Sequence, residues 1–216
     1  MKSNGGKVNW EAVCKPKAKG GLGLPNLEIS NRAAVLRYIW DLHTDNTDRI
    51  WLNWCRIHLI KGKNLWSLKI PHSYSWSWRK ILQLRHQARH FIKHLIGDGN
   101  DTSFWLDNWS SGGPLCLRFS PSILSSSGIH EHTKVSHFIG NNSWSFPPHL
   151  SLAIPELLSL QQPVPFRKDK LIWLVSPSGS FSLKYTIFHL SHHGPAVHPE
   201  NEIYHMVGCS RQTPNS

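Results

Sequence analysis

The sequence predicts an α+β protein with a mainly helical N-terminal half, short strands and loops in the C-terminal half, and a loose C-terminal tail. Before residue 97, apolar residues recur at steps of three and four, as in amphipathic helices. After residue 97, short aromatic or β-branched runs are divided by Gly, Asn, Pro and Ser, which is typical of short strands joined by turns.

The first stretch, "VCKPKAKGGLGLPNLEISN", is interpreted as an ordered connector because Pro25 excludes a helix there. Its glycines resemble a phosphate-binding loop only in part. In such a loop a lysine follows the glycines and precedes Ser or Thr, whereas here the lysines come before the glycines.

Two helices are predicted next. The first begins at about Ser30 or Asn31, either of which can act as N-cap. Its buried face is expected to comprise Ala33, Leu36, Ile39 and Trp40. The second is "DRIWLNWCRIHLI", ended by Gly62, with one side lined by Ile50, Trp51, Trp54 and either Ile57 or His58.

The clearest helical pattern covers residues 77–96. Its apolar stripe consists of Ile81, Leu84, Ala88, Phe91 and Leu95. A second row, formed by Arg85, Arg89 and Lys93, predicts a wet, cationic face, and Gly97 is placed to end the helix.

Short strands are predicted in the C-terminal half, and residues 154–160 are expected to form a short helix. The predicted strand segments are "TSFWLDNW", "HTKVSHFIG", "NSWSF", "DKLIWLVS" and "GSFSLKYT". The chain after residue 191 is expected to be loose.

The charge points to a polyanionic partner. The 24 Lys and Arg residues against 13 Asp and Glu give a net charge of +11, which favours nucleic acid. A membrane partner is not predicted, because the sequence has neither a long apolar run nor a lipidation motif. The start has no apolar signal region and the four cysteines are scattered, so we expect an intracellular, non-secreted protein with reduced thiols.

Residues 49–97 contain no acidic residue but ten Lys and Arg. Cations of such a block can neutralise phosphates, and its interleaved aromatic residues could stack on unpaired bases. For the tryptophans we favour a role in the core. The predicted phosphate contacts for RNA or DNA, which are electrostatic and nonspecific, are Arg79, Lys80, Arg85, Arg89 and Lys93.

The stretch "LIGDGNDTSFWLDNW" fits neither a metal-binding loop nor a phosphate-binding loop. A calcium loop starting at Asp98 would place Ser103 where glycine is needed and Trp109 where glutamate is needed. A phosphate loop fails because Gly97 and Gly99 follow a helical pattern instead of preceding one. We therefore interpret the stretch as a polar turn and a strand anchored by aromatic residues, with Asp107 capping an indole N–H or a backbone donor.

Other catalytic and metal patterns are weak. Histidines and a cysteine near the C-terminus have spacings that fit no zinc site well; they are His192, His193, His198, His205 and Cys209. An enzymatic reading would require the carboxylates of Asp98, Asp101 and Asp107 to point inward together. The residues therefore predict no catalytic residue, metal, cofactor or small-molecule substrate.

Four segments in order resemble plant LINE-type (non-LTR) retrotransposon polyproteins, downstream of the reverse-transcriptase core. They are "VNWEAVCKPKAKGGLGLPNLEISNRA", "IGDGNDTSFWLDNW", "VSHFIGNNSWSF" and "DKLIWLVSPSGSFSLKYTIFHL". The last is similar to the opening of the family's reverse-transcriptase zinc-binding domain. The resemblance implies nucleic-acid chemistry, but the family's Tyr-x-Asp-Asp polymerase site, its endonuclease region and its zinc ligands do not appear in this sequence.

Pattern and resemblance together divide the chain into four regions. Residues 1–97 are a basic, Trp-rich helical region, and 98–165 contain short strands and loops. Residues 166–190 resemble the truncated start of the zinc-binding domain, and 191–216 are predicted to be disordered. The expected function is that of a non-catalytic polyprotein fragment with nonspecific RNA or DNA binding, and the alternative is a degenerate structural remnant.

Overall fold

Helices dominate the first hundred residues of the computed structural model, which describes residues 9–14, 17, 20–44, 49–141, 143–163 and 167–193. Its α-helices are α1 (Trp10–Cys14), α2 (Leu27–His43), α3 (Ile50–Cys55), α4 (Trp76–Phe91), α5 (Leu115–Arg118), α6 (Ser122–Ser126), α7 (Pro148–Ala153) and α8 (Leu183–His193). Its strands are β1 (Ile92–Leu95), β2 (Ile139–Gly140), β3 (Ser143–Trp144) and β4 (Lys170–Trp173). The predicted α+β class is confirmed. None of the helices formed by the described residues is long and apolar enough to cross a bilayer.

Helix α2 begins four residues earlier than the sequence predicted. The N-cap is Asn26, whose side chain accepts from the backbone N–H of Glu28 at 2.9 Å and of Ile29 at 3.2 Å. The predicted buried face is confirmed, since Ala33, Leu36, Ile39 and Trp40 all lie in the core.

The face of helix α3 that packs against the core is not the one predicted from the sequence. Leu52 and Cys55 are buried, whereas the predicted side is exposed at Ile50, Trp51, Trp54 and Ile57. The helix continues as a π-helical turn (Arg56–Ile60) and ends as expected before Gly62, with Lys61 in the left-handed conformation. The prediction failed because aromatic and aliphatic residues occur on both sides of this short segment.

Helix α4 ends at Phe91, five residues before the predicted end. Ile92 is extended and opens β1, which pairs antiparallel with β4 in the register Ile92↔Trp173 to Leu95↔Lys170. The backbone N–H of Leu174 also bonds to the carbonyl of Phe91 at 2.8 Å. Pairing with a strand about eighty residues later therefore overrides the helical period, and Gly97 is not a helix terminator.

The C-terminal half confirms some predicted strands and corrects others. The segment "DKLIWLVS" contains β4, and "NSWSF" contains β3, which forms a hairpin with β2. "TSFWLDNW" is instead a series of turns, and "GSFSLKYT" runs into helix α8. Helix α8 buries Thr186 and Leu190, four residues apart, which is the helical period that the strand interpretation missed.

The two remaining local predictions have different outcomes. The short helix expected at 154–160 is present as a 3₁₀ helix (Pro155–Ser159). Residues 191–193 belong to α8, so the predicted tail does not start at 191, and residues 194–216 lie outside the described residues.

The core has two aromatic centres. Trp173 contacts Trp40, Phe91 and Phe181 edge-on or tilted at centroid distances of 5.8, 5.4 and 4.8 Å, and its indole N–H donates to the Thr186 hydroxyl at 3.1 Å. A second centre is built around Phe104 by Trp109, Phe138, Trp144 and Phe146. Strand β1 and the loop after it connect the two centres.

Candidate nucleic-acid interface and adjoining pocket

The loop after β1 holds an internal carboxylate. Asp169 Oδ1 accepts from the backbone N–H groups of Gly97 at 2.7 Å and Gly99 at 2.9 Å, and its Oδ2 accepts from the Thr102 N–H at 3.1 Å and hydroxyl at 2.6 Å. Converging backbone donors of this kind form an anion site. The loop thus has the chemistry of an anion cradle, but its occupant is a side chain of the same protein.

Neither glycine of this loop can be enlarged without a clash. A Cβ on Gly97 would come within 2.7 Å of the Lys168 carbonyl oxygen, and one on Gly99 within 2.6 Å of the Ser136 nitrogen. Gly99 also has a φ of +72°, which favours glycine. The two glycines of the sequence motif are therefore required by close backbone approach to the segments that carry Lys168 and Ser136.

Asp107 performs the role predicted for it. Its Oδ1 accepts from the Trp66 indole N–H at 2.6 Å, and its Oδ2 accepts from the Ser103 backbone N–H at 2.6 Å. The prediction named an indole or a backbone donor, and the structure has both. The predicted anchors Phe104, Trp105 and Trp109 are buried, although they lie in turns instead of a strand.

The predicted cationic face of α4 is corrected at Arg85 and Arg89. Arg85 is 7% exposed and donates to the carbonyl oxygens of Leu65 and Leu68, while Arg89 is 4% exposed. The Arg89 guanidinium lies over the Trp66 ring at 5.0 Å and bonds to Cys116 Sγ at 3.2 Å. These side chains are buried because the loop 65–68 and the segment around Cys116 pack against this face of helix α4.

The other three predicted contacts are more accessible. Lys93 is half-buried, and its ammonium group donates to the Ser110 carbonyl and to Asn108 Oδ1. Arg79 and Lys80 are half-buried in the first two turns of α4, and the four ion pairs of the described residues involve neither. The same basic block adds three exposed lysines, which are Lys61, Lys63 and Lys69.

Several acidic side chains form ion pairs with arginines of the same protein. Asp41 is buried and pairs with Arg37 at 2.9 Å and Arg49 at 3.1 Å. Glu156 pairs with Arg118. Among the described residues, the carboxylates of Asp41, Asp107, Glu156 and Asp169 are thus engaged by other groups of the protein.

The tryptophans of the basic block divide into two groups. Trp66 and Trp78 are buried, as favoured for the core, whereas Trp51, Trp54 and Trp76 are 42%, 49% and 67% exposed. Stacking on unpaired bases requires exposed aromatic rings, which these three tryptophans provide. Sequence reasoning could not separate the two groups because their spacing is compatible with either face.

A pocket of about 840 Å³ lies between the segment after α2, the loop 60–65, the loop after β1 and strand β4. Its lining includes the buried His94, Asp107 and Ser103 together with the exposed Lys63, His132, Lys134 and Lys170. The sequence did not predict this pocket, because its walls come from segments more than a hundred residues apart.

Burial controls the charge of two of the histidines that line the pocket, His43 and His94. Burial lowers the pKa of His43 from 6.5 to about 4, against the opposing effects of its bond to the Ile39 carbonyl and the charge of Asp107. Burial also lowers the pKa of His94, although Asp107 and Asp169 act in the opposite direction. Both imidazoles are therefore neutral at pH 7.

Among the described residues, no group of three His, Cys, Asp or Glu side chains is placed to hold a metal ion. Asp98 accepts from the Asn100 N–H at 3.0 Å, Asp101 is exposed, and Asp107 is buried. Of the zinc candidates considered from sequence, His198, His205 and Cys209 lie outside the described residues.

The four segments that carry the sequence resemblance include the loop after β1 and strand β4, which the Asp169 carboxylate joins. The chain is similar to two plant proteins. A protein of Arabidopsis thaliana provisionally named a ribonuclease H protein is 33% identical over 50% of this chain and 18% of its own length. An uncharacterized mitochondrial protein of Arabidopsis thaliana is 28% identical over 47% of this chain and 66% of its own length.

The chain thus spans less than a fifth of the first relative and about two thirds of the second. No family model matches the chain. No solved structure matches it significantly.

Proposed function

We propose that the chain is a non-catalytic fragment of a plant LINE-type retrotransposon reverse-transcriptase polyprotein that binds RNA or DNA without sequence specificity. The ordered sequence segments support the family, and the similarity to a small part of a longer protein named for ribonuclease H supports a polyprotein origin. The binding proposal rests on one observation: the exposed lysines and exposed tryptophans belong to the same block of the chain, and that block contains no acidic residue.

The binding surface differs from the row predicted on α4. Arg79 and Lys80 remain, and Lys61, Lys63 and Lys69 replace the buried Arg85 and Arg89. We call these five residues the basic surface. Each phosphate that such a cation neutralises releases condensed counterions, so affinity depends on salt more than on base sequence.

Titration of a labelled single-stranded RNA of about 20 nucleotides at about 50 mM and about 200 mM salt tests the proposal. Binding at the lower salt that weakens by at least tenfold at the higher salt is the expected result, because several phosphates are neutralised together. Absent or salt-independent binding contradicts it. A double-stranded competitor with the same number of phosphates, whose bases are paired, measures the contribution of exposed aromatic side chains.

A second candidate is a degenerate structural remnant. It is favoured by the burial of Arg85 and Arg89, because two of the five predicted phosphate contacts are engaged inside the protein. The same titration separates the two candidates, since a remnant would show no binding at low salt while retaining the fold.

A further inference from the structure

Four aromatic side chains form one exposed row across helix α2, helix α3 and the π-helical turn that continues α3. Tyr38 meets Trp51 edge-on at a centroid distance of 5.4 Å, and Trp54 contacts His58 at 5.1 Å. Trp51 and Trp54 are three residues apart on α3, which places them side by side on one face of the helix. We call Tyr38, Trp51, Trp54 and His58 the aromatic row.

The aromatic row is accessible to a ligand. All four residues are exposed, and Trp54 remains 49% exposed although its ring contacts His58. Helix α3 is attached to the core by its other side, through the buried Leu52 and Cys55. The two exposed indoles are therefore not core residues of α3, and their ring surface can contact a molecule outside the protein.

The aromatic row continues into the basic surface at one end. Lys61 is exposed and follows the π-helical turn, three residues after His58. At the other end, Arg49 precedes α3 and pairs with the buried Asp41 at 3.1 Å. The cation at the Lys61 end thus lies beside aromatic rings and belongs to the surface already proposed to bind phosphates.

The described acidic residues of α2 and α3 do not oppose an anion at this end. Glu28 lies at the start of α2, about 15 Å from the row along the helix, and Asp41 is buried and paired with two arginines. Asp45 and Asp48 precede α3 in the sequence and lie outside the described residues. The end of the row that favours a phosphate is therefore the one at Lys61.

We propose that the aromatic row stacks unpaired bases of a bound single strand, with Trp54 as the main stacking ring and an adjoining phosphate at Lys61. The inference rests on the proposed nucleic-acid binding and adds to it a preference for unpaired bases. Aromatic side chains stack on bases of any sequence, because every base has a π-face. In a duplex these faces are covered by the neighbouring base pairs.

An abasic strand separates stacking from charge. Oligoadenylate and an abasic oligomer of the same length carry the same number of phosphates, and both are titrated with the native protein at one salt concentration. Oligoadenylate is expected to bind at least about tenfold more tightly, because one base stacked on an aromatic ring contributes about this factor. Equal, salt-dependent binding of the two strands would overturn the stacking site while leaving nonspecific binding intact. Absent binding of both strands would overturn both proposals.

A pair of matched variants locates the effect. Trp54→Leu and Trp10→Leu each remove an indole that is 49% exposed and keep an apolar side chain, but Trp10 lies in α1, outside the aromatic row. Trp54→Leu is expected to lose most of the preference for oligoadenylate and to bind the abasic strand as the native protein does. Trp10→Leu should keep the preference. Retention of the full preference by Trp54→Leu would overturn the site.

Two further measurements separate the phosphate contact and a competing occupant. Lys61→Asn, which suits the left-handed conformation of this residue, is expected to weaken both strands by a similar factor. Ile50 and Ile57 are also exposed on α3 and the turn after it, so a second copy of the chain is the competing occupant. Sedimentation of the free protein should show no association that depends on Trp54. A dimer that Trp54→Leu dissociates without changing the strand preference would overturn the proposal.

Discussion

The carboxylate of Asp169 accepts a hydrogen bond of 2.6 Å from the hydroxyl of Thr102, across 67 residues of sequence. The same carboxylate accepts from three backbone N–H groups of the loop after β1, at residues 97, 99 and 102. This one side chain joins two of the segments that resemble the retrotransposon family. The loop therefore acts as a structural junction whose backbone donors are occupied internally.

Replacing the Asp169 carboxylate should destabilise the fold. In Asp169→Asn, an amide NH₂ group faces the N–H and O–H groups that donate to the carboxylate in the native protein, so some of these hydrogen bonds are lost. We expect the free energy of unfolding to fall by about 2–4 kcal/mol. Urea unfolding measures the loss. Asp101→Asn is the matched control, because Asp101 is exposed and, among the described residues, only its backbone carbonyl accepts a hydrogen bond, from Lys134. Equal stability of the two variants would contradict the claim that the Asp169 carboxylate stabilises the fold by joining these segments.

The glycines of the loop should be intolerant of a methyl group. We expect Gly97→Ala to lower the free energy of unfolding by more than about 2 kcal/mol, because its Cβ would overlap the backbone carbonyls of 167 and 168. Gly140→Ala serves as the control, since nothing lies within 4 Å of a Cβ there and no positive φ is required. Thermal unfolding of both variants provides the comparison, and a stable Gly97→Ala protein would show that the close approach is wrong.

Two arginines of α4 should respond differently to truncation. Arg89→Ala removes a buried side chain that packs on Trp66 and is expected to cost about 2–4 kcal/mol of stability. Arg79→Ala should change stability by less than about 0.5 kcal/mol and weaken RNA binding. Chemical unfolding and RNA titration of both variants measure the contrast. If Arg89→Ala is fully stable and binds RNA more weakly, Arg89 lies on an exposed cationic face, as predicted from the sequence.

Acid should destabilise the protein through His43. Because burial lowers the folded-state pKa to about 4, the unfolded chain binds more protons between about pH 4 and 6.5. The contribution of the neutral ring is complete above pH 6.5 and is lost as the pH falls toward 4, by up to about 3 kcal/mol. His43→Phe, which keeps a ring beside Trp66, should flatten the pH dependence of urea unfolding over this range. An unchanged slope would show that another group titrates.

Local sequence rules succeeded where a single element decides the outcome. The buried face of α2 follows from the helical period, and the end of the helical segment before Gly62 follows from the glycine. Asp107 was predicted to bond an indole or a backbone donor because it stands between tryptophans in the sequence. Its carboxylate accepts from the indole of Trp66, which lies 41 residues earlier, and no local pattern distinguishes that indole from the others.

Long-range pairing accounts for the main errors. Residues 92–95 have a helical period, but they form a strand because residues 170–173 pair with them. Arg85 and Arg89 form a row that resembles a solvated face, but loop 65–68 and Cys116 cover it. The pocket and the Asp169 carboxylate were missed for the same reason, since their residues come together only in the folded chain.

The central claim is that the cations of the basic surface, between residues 61 and 80, bind nucleic acid. The most direct measurement is the slope of log affinity against log salt for native protein, Arg79→Ala/Lys80→Ala, and the control Lys168→Ala/Lys184→Ala with single-stranded RNA. Loss of two phosphate contacts should reduce the magnitude of the slope by roughly 1.4, at about 0.7 per phosphate of a single strand, and the control should retain the native slope. Equal slopes for all three proteins would contradict the claim.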